Sequence, residues 1–264
     1  MLTELYGKGG RVCGPAREGQ VQCPLIVRPT SEDAITGNIF GTLAAIDPRW
    51  WLPQILNAAI GTGLFRQRAF RRLRVELWKN YPPYPRELLP WSEGSTQVDV
   101  VITWENPPTT VFVEAKYLAP LAARTEGGRQ QSEFPSDQVI RNIRVGLLQC
   151  GWFGRGRMFA PSPRRFVVVV LDPVHGHDLV KRYRSTRRLL AAIPHSRKLA
   201  GLPETPLVGD LNYRNLASVL RSTRRFMTRS ERLLAEFLCD YLDFKARGAN
   251  KSSPSRQRSF VPAE

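Results

Sequence analysis

The chain reads as an α/β protein, a mixed central β-sheet flanked by helices, and three observations predict it. Two strand-like runs, VDVVITW (98–104) and TVFVEAKY (110–117), are separated by Glu105, Asn106, Pro107 and Pro108 and so form a hairpin. A third run, RFVVVVLD (165–172), is almost uniformly β-branched, as expected of a strand covered on both faces. Segments with helical apolar spacing precede, separate and follow these strands.

Residues 1–29 hold glycines, prolines and polar residues without period and read as a flexible N-terminal segment. Order begins near Thr30. In TSEDAITGNIFGTLAAI, Thr30 and Asp33 resemble a capping box, and Ile35, Ile39, Leu43 and Ile46 repeat at helical spacing. A second helix lies in WWLPQILNAAIGTG, followed by LRVELW (73–78), whose Leu73, Val75 and Leu77 alternate as in a strand. The proline-rich YPPYPRELLP is a loop. After the hairpin, Pro135 and Ser136 introduce DQVIRNIRVGLLQ, a helix with Val139, Ile140, Ile143 and Leu147 as its apolar stripe and Arg141 and Arg144 off it. Past the buried strand, DLVKRYRSTRRLLAAI, NLASVLRS and SERLLAEFLCDYLDF are helical. A single domain over 30–245 is expected, and 246–264, Ser- and Arg-rich, reads as a disordered basic tail.

Lys and Arg total 39 against 23 Asp and Glu, a formal charge of +16, which favours polyanionic partners, with nucleic acid first. The cysteines, Cys13, Cys23, Cys150 and Cys239, form neither a CxxC pair nor a disulfide framework and read as unpaired thiols. No signal peptide and no long apolar run appears, so the expectation is a cytoplasmic protein without a membrane partner.

The chemistry lies in the hairpin. If residues 105–108 form its loop, Trp104 opposes Thr109 and, by register, Asp99 faces Glu114. Directly opposed residues share a sheet face with Cβ atoms about 5 Å apart, so the two carboxylates converge, and Lys116 lies on the same face. Opposed acids repel unless something positive sits between them, and a divalent cation fits. Mg²⁺ prefers oxygen ligands and keeps several waters. Two carboxylates and a backbone carbonyl, here that of Ala115, would leave room for a phosphate. The metal would polarise that phosphate and activate a water, with Lys116 positioning the water and stabilising developing charge. An acid-x-Lys triplet alone is weak, since about 0.6 chance matches are expected from this composition. A second match, Asp243-Phe244-Lys245, falls in a helical segment where its two ends point apart.

Asp99 and, after fourteen intervening residues, Glu114-Ala115-Lys116 within VFVEAKY resemble the signature of the PD-(D/E)XK nuclease superfamily, the restriction-endonuclease-like fold. The resemblance covers roughly residues 30–172 and implies a mixed central sheet flanked by helices. It also implies Mg²⁺, for which Mn²⁺ can substitute, and hydrolysis of DNA. Glu32 matches the acid of the first helix, a further metal ligand in that family, and Gln138 resembles the helical glutamine of RecB-like members. Val98 stands where the signature proline would precede Asp99, and Asn142 where the RecB-like pattern often has tyrosine.

The cluster Asp172, His175, His177 and Asp178 is a rival metal site, with a polar loop the plainer reading. The Arg-rich segments RQRAFRRLR, KRYRSTRR and RSTRRFMTR are candidate phosphate-binding faces, and Trp50, Trp51 and Trp78 read as core or loop anchors. The expectation is a Mg²⁺-dependent deoxyribonuclease, an endonuclease by preference, in restriction, defence or DNA processing, with RNA not excluded. Cutting both strands implies two active sites and hence a homodimer. The competing expectation is a nucleic-acid-binding protein that keeps the fold without turnover.

Overall fold

The computed structural model describes residues 31–85, 87–89, 91, 93–119, 121, 134–153, 163–173, 177–200 and 207–252. The expected flexible segment 1–29, with Cys13 and Cys23, therefore lies outside the described residues, as do Thr30, His175 and the tail beyond Ser252.

The first helix, α1 (Glu32–Ala44), is capped by Ser31, whose Oγ accepts the Ala34 N–H, so the cap falls one residue after the expected Thr30. A 3₁₀ turn over Pro48–Trp50 leads into α2 (Leu52–Ile60), which stops at Gly61 with φ 75°, where a residue without Cβ carries no penalty. The strands are β1 (Arg71–Tyr81), β2 (Thr96–Glu105) and β3 (Thr109–Ala115), the first of them longer than expected. Helix α3 (Gln138–Gln149), capped by Asp137, connects β3 to β4 (Arg165–Asp172). The next expected helix is divided at Ser185 into α4 (Asp178–Arg184) and α5 (Thr186–Ala191). A strand not foreseen in the sequence, β5 (Val208–Asn212), precedes α6 (Tyr213–Thr223) and α7 (Arg229–Ser252). Because α7 runs through Ser252 and buries Ala246 and Ala249, the boundary expected at Ala246 falls inside a packed helix.

The five strands lie in sequence order, β1 to β5, antiparallel across β1–β2–β3 and parallel across β3–β4–β5. The expected mixed α/β sheet is thus present. Helices α1, α2, α6 and α7 bury their apolar sides against one face, where Ile35, Leu43, Val100, Val111, Val169 and Leu242 meet. Helices α3 to α5 cover the other through Val139, Ile143, Val168, Val180 and Leu189. β4 has Val167 on one face and Val168 on the other, which explains its lack of alternation. Arg144, expected off the apolar stripe of α3, is fully buried: its guanidinium bonds the carbonyl of Ala192 at 2.8 Å and lies over the Trp91 ring.

Near the carboxyl end of β3 the sheet is irregular. Leu73, Val75 and Leu77 of β1 pack on the first face but Tyr81 on the second; on β2, Val100 packs on the first face and Val98 on the second. The exchange falls between the pairs Leu77–Val100 and Lys79–Val98, where Trp78 stands opposite Asp99 with φ 51°. Left-handed backbone is costly for a bulky aromatic residue, and such strain collects at sites that must aim a side chain.

Candidate active site

The hairpin pairs Trp104 with Thr109 and continues in step to Val100 with Val113. That is the register expected as far as Val100–Val113; beyond it the sheet is irregular, yet the Asp99 and Glu114 carboxylates still lie close enough to act on each other. Glu114 is fully buried, and Asp99 Oδ2 accepts the backbone N–H of Ala115 at 2.9 Å. β3 ends at Ala115, but the Lys116 N–H still donates to the Leu171 carbonyl at 2.8 Å, and the Lys116 carbonyl accepts from the Tyr213 hydroxyl at 2.7 Å. This fixed backbone delivers the lysine to the carboxylates: Nζ lies 3.0 Å from Glu114 Oε1 and 3.5 Å from Glu32 Oε2.

Helix α3 supplies two amides. Gln138 Nε2 donates to Glu114 Oε1, and Asn142 Nδ2 donates to Glu114 Oε2 at 2.9 Å. Gln138 and Asn142 are four residues apart, so both lie on one side of the helix and together fix both carboxylate oxygens. Asn142 thus occupies the position at which the family pattern often has tyrosine. It was missed as a site residue; the available signal was a buried amide four residues after Gln138, bordered by the apolar Val139, Ile140 and Ile143.

Glu32 comes to the site from the first turn of α1, where a carboxylate is favoured by the helix dipole. Its Oε1 accepts the Tyr117 N–H at 2.9 Å while Oε2 faces Lys116. It therefore anchors the lysine, as seen here, rather than meeting the Asp99–Glu114 pair.

The electrostatics are unbalanced by design of the hairpin. Burial, followed by the charge of Glu114, pushes the Asp99 carboxyl well above its usual range, and the Ala115 N–H and Lys116 only partly oppose this. For Lys116, burial alone would favour the neutral amine, but Glu114 and Glu32 outweigh it and raise the pKa, so the ammonium form persists. Two converging carboxylates with a single adjacent lysine keep a proton where a divalent cation could sit. Asp99 and Glu114 are hard oxygen donors of the kind a hydrated divalent cation takes, with both Glu114 oxygens also accepting from Gln138, Lys116 and Asn142. Among the described residues no group of three or more His, Cys, Asp or Glu side chains is arranged to hold a metal, so such an ion would depend on water and phosphate for the rest of its shell.

The competing clusters resolve differently. Of the cluster from Asp172 to Asp178, His177 bonds Asp172 through Nε2 while His175 lies outside the described residues, and among the described residues no three such side chains gather. In the second acid-x-Lys match, Asp243 pairs with Arg221 while Lys245 lies over the Tyr117 ring, so the two ends diverge as expected. Cys150 and Cys239 are free, buried thiols. Trp51 is a core residue, Trp50 is half-exposed, and Trp78 places a buried indole N–H without a hydrogen-bond partner.

Fold and site together define an α/β protein with a buried carboxylate pair, a lysine and two orienting amides at the end of a sheet hairpin. Comparison with protein-family models, with curated proteins and with solved structures finds no match to the chain.

Proposed function

We propose that this protein is a Mg²⁺-dependent phosphodiesterase of DNA, an endonuclease of PD-(D/E)XK type. The observation that carries the reading is the convergence of Asp99 and Glu114, one of them fully buried, beside a lysine held cationic by its neighbours. A fold gains nothing in stability from forcing two acids together out of water, so the arrangement is better explained by a positively charged ligand. The formal charge of +16 supports a polyanionic substrate.

Mg²⁺, or Mn²⁺ in its place, would be held by Asp99, Glu114 and the Ala115 carbonyl and would supply Lewis-acid activation of phosphate and water. Gln138 and Asn142 hold Glu114 in one orientation. Lys116, kept protonated, would donate to a phosphate oxygen and stabilise the negative charge that develops on the phosphoryl oxygens. Glu32 keeps the lysine in place. A cytoplasmic location, a role in restriction, defence or DNA processing, and a homodimer for double-strand cutting belong to the same reading. No described helix is long and apolar enough to cross a membrane.

The test is incubation of purified protein with supercoiled plasmid, linear duplex and single-stranded DNA or RNA, with Mg²⁺ or with chelator, beside Glu114→Ala and Lys116→Ala. Metal-dependent nicking by the wild type and none by either variant is expected. Equal outcomes for all three proteins would remove the enzyme and leave a nucleic-acid-binding protein.

A further inference from the structure

Helix α7 joins the candidate site to a second, exposed feature. Near its start the Glu231 carboxylate accepts the Asp47 N–H at 2.8 Å, just past the end of α1. Further on, Tyr241 hydroxyl meets Asn38 Nδ2 at 3.4 Å, and the Lys245 carbonyl accepts from the hydroxyl of Tyr117, whose own N–H holds Glu32. So α7 runs antiparallel to α1, and the fourteen residues from Glu231 to Lys245 span about 21 Å, ending beside the catalytic lysine's neighbour.

At the far end, Trp50 and Phe226 stack with ring centroids 5.5 Å apart and planes 19° apart. Arg49 lies 5.0 Å from the Trp50 ring and Arg225 4.7 Å from the Phe226 ring. Along α7 toward the site, Leu233, Phe237 and Phe244 follow at spacings of four and seven residues, which places them on one line of the helix. They are 50%, 63% and 61% exposed, and Phe226 is 52% exposed. Four large apolar side chains are thus left in water on a path that starts at an arginine-flanked aromatic stack and follows α7 toward the end that carries Lys245.

The charge along this path is positive. Arg225, Arg229, Arg232 and Arg247 are exposed and have no ion pair among the described residues. Two acids of α7 are neutralised, Glu236 by Arg224 and Asp243 by Arg221. Asp240, exposed between Phe237 and Phe244, opposes the trend. Exposed rings interleaved with arginines match the chemistry that single-stranded nucleic acid offers: unpaired bases to stack and phosphates to neutralise. A duplex hides its base faces and gains nothing from the rings.

We propose that single-stranded DNA lies along α7, stacking bases on Phe226, Phe237 and Phe244. This rests on the nuclease reading for its purpose, though not for its test. At the rise of a stacked strand the path holds about six nucleotides.

The experiment is fluorescence anisotropy of labelled dT20, rU20 and a 20-bp duplex in chelator, where no hydrolysis occurs, with wild type, Phe226→Ala, Phe237→Ala/Phe244→Ala and Asp240→Asn. Each ring removed should weaken dT20 binding about tenfold, with duplex binding and thermal stability unchanged, and Asp240→Asn should tighten it. Unchanged dT20 affinity, an equal loss for duplex, or tighter binding of rU20 than of dT20 overturns the proposal. So does a dimer in solution that Phe237→Ala dissociates, which would make the stripe a contact between two copies. Binding in chelator separates the two readings: ring-dependent dT20 affinity of the wild type stands even if the protein never cuts DNA.

Discussion

The two ends of the β2–β3 hairpin both gather charge, one at a partly exposed rim and one in the interior, by opposite rules. At the turn end, the Arg164 guanidinium donates to Glu105 at 2.9 Å, to the carbonyls of Trp104 and Thr109 at 2.8 and 3.1 Å, and to the Thr110 hydroxyl at 3.2 Å. One cation meets one acid and three neutral acceptors, so charge and hydrogen bonds balance. At the open end, Asp99 and Glu114 crowd together with Lys116 between Glu114 and Glu32, and three acids share one lysine. The first cluster closes on itself; the second is left incomplete, and the surrounding core must hold it.

Substitutions should separate the ends. The largest effect expected is on turnover: Glu114→Ala should lower Mg²⁺-dependent DNA hydrolysis by at least about a thousandfold, measured as kcat/KM on plasmid, with little loss of fold. Arg164→Ala should do the reverse. It leaves the Trp104 and Thr109 carbonyls without their partner and should cost about 2 kcal/mol in urea denaturation, with kcat per folded molecule unchanged. If Arg164→Ala abolished activity at full occupancy of the fold, the division between the ends would be wrong.

A subtler sign follows from Asp99. Because its pKa is raised, the folded protein holds a proton that the unfolded chain releases, so stability falls as pH rises from the ordinary carboxylate range through the folded value. Asp99→Asn removes that penalty. Its metal-free Tm should exceed the wild type's at neutral pH, and the gap should close in acid. The smallest effect concerns His177, whose pKa is raised chiefly by its hydrogen bond to Asp172. This pair stabilises the fold fully below the ordinary imidazole range and fades as pH rises through the folded value. His177→Gln should flatten that part of the stability profile by about 1 kcal/mol or less, since the pair is partly exposed.

The hairpin, its register and the meeting of Asp99, Glu114 and Lys116 were legible in the sequence because strand alternation and a proline-marked turn fix which residues oppose each other. The rest depended on contacts between distant segments. β5 was not legible: Gly209 and Asp210 break any strand pattern, yet a Cβ on Gly209 would come within 2.3 Å of the Ala59 carbonyl, and Asp210 is paired with Arg184 at 3.1 Å. Arg144 looked like a surface residue because its partners, Ala192 and Trp91, lie far along the chain. Asn142 looked like a departure from a pattern, and only its distance to Glu114 shows what it holds. Glu32 could be placed on the first helix, but not assigned to the lysine.

The central claim is that Asp99 and Glu114 share one cation. Titration of the wild type, Asp99→Asn and Glu114→Gln with Mn²⁺, read by calorimetry or by the electron paramagnetic resonance signal of free ion, tests it directly. One site per chain in the wild type, lost in both variants, is the predicted result; Mn²⁺ uptake that is the same in all three proteins would contradict it.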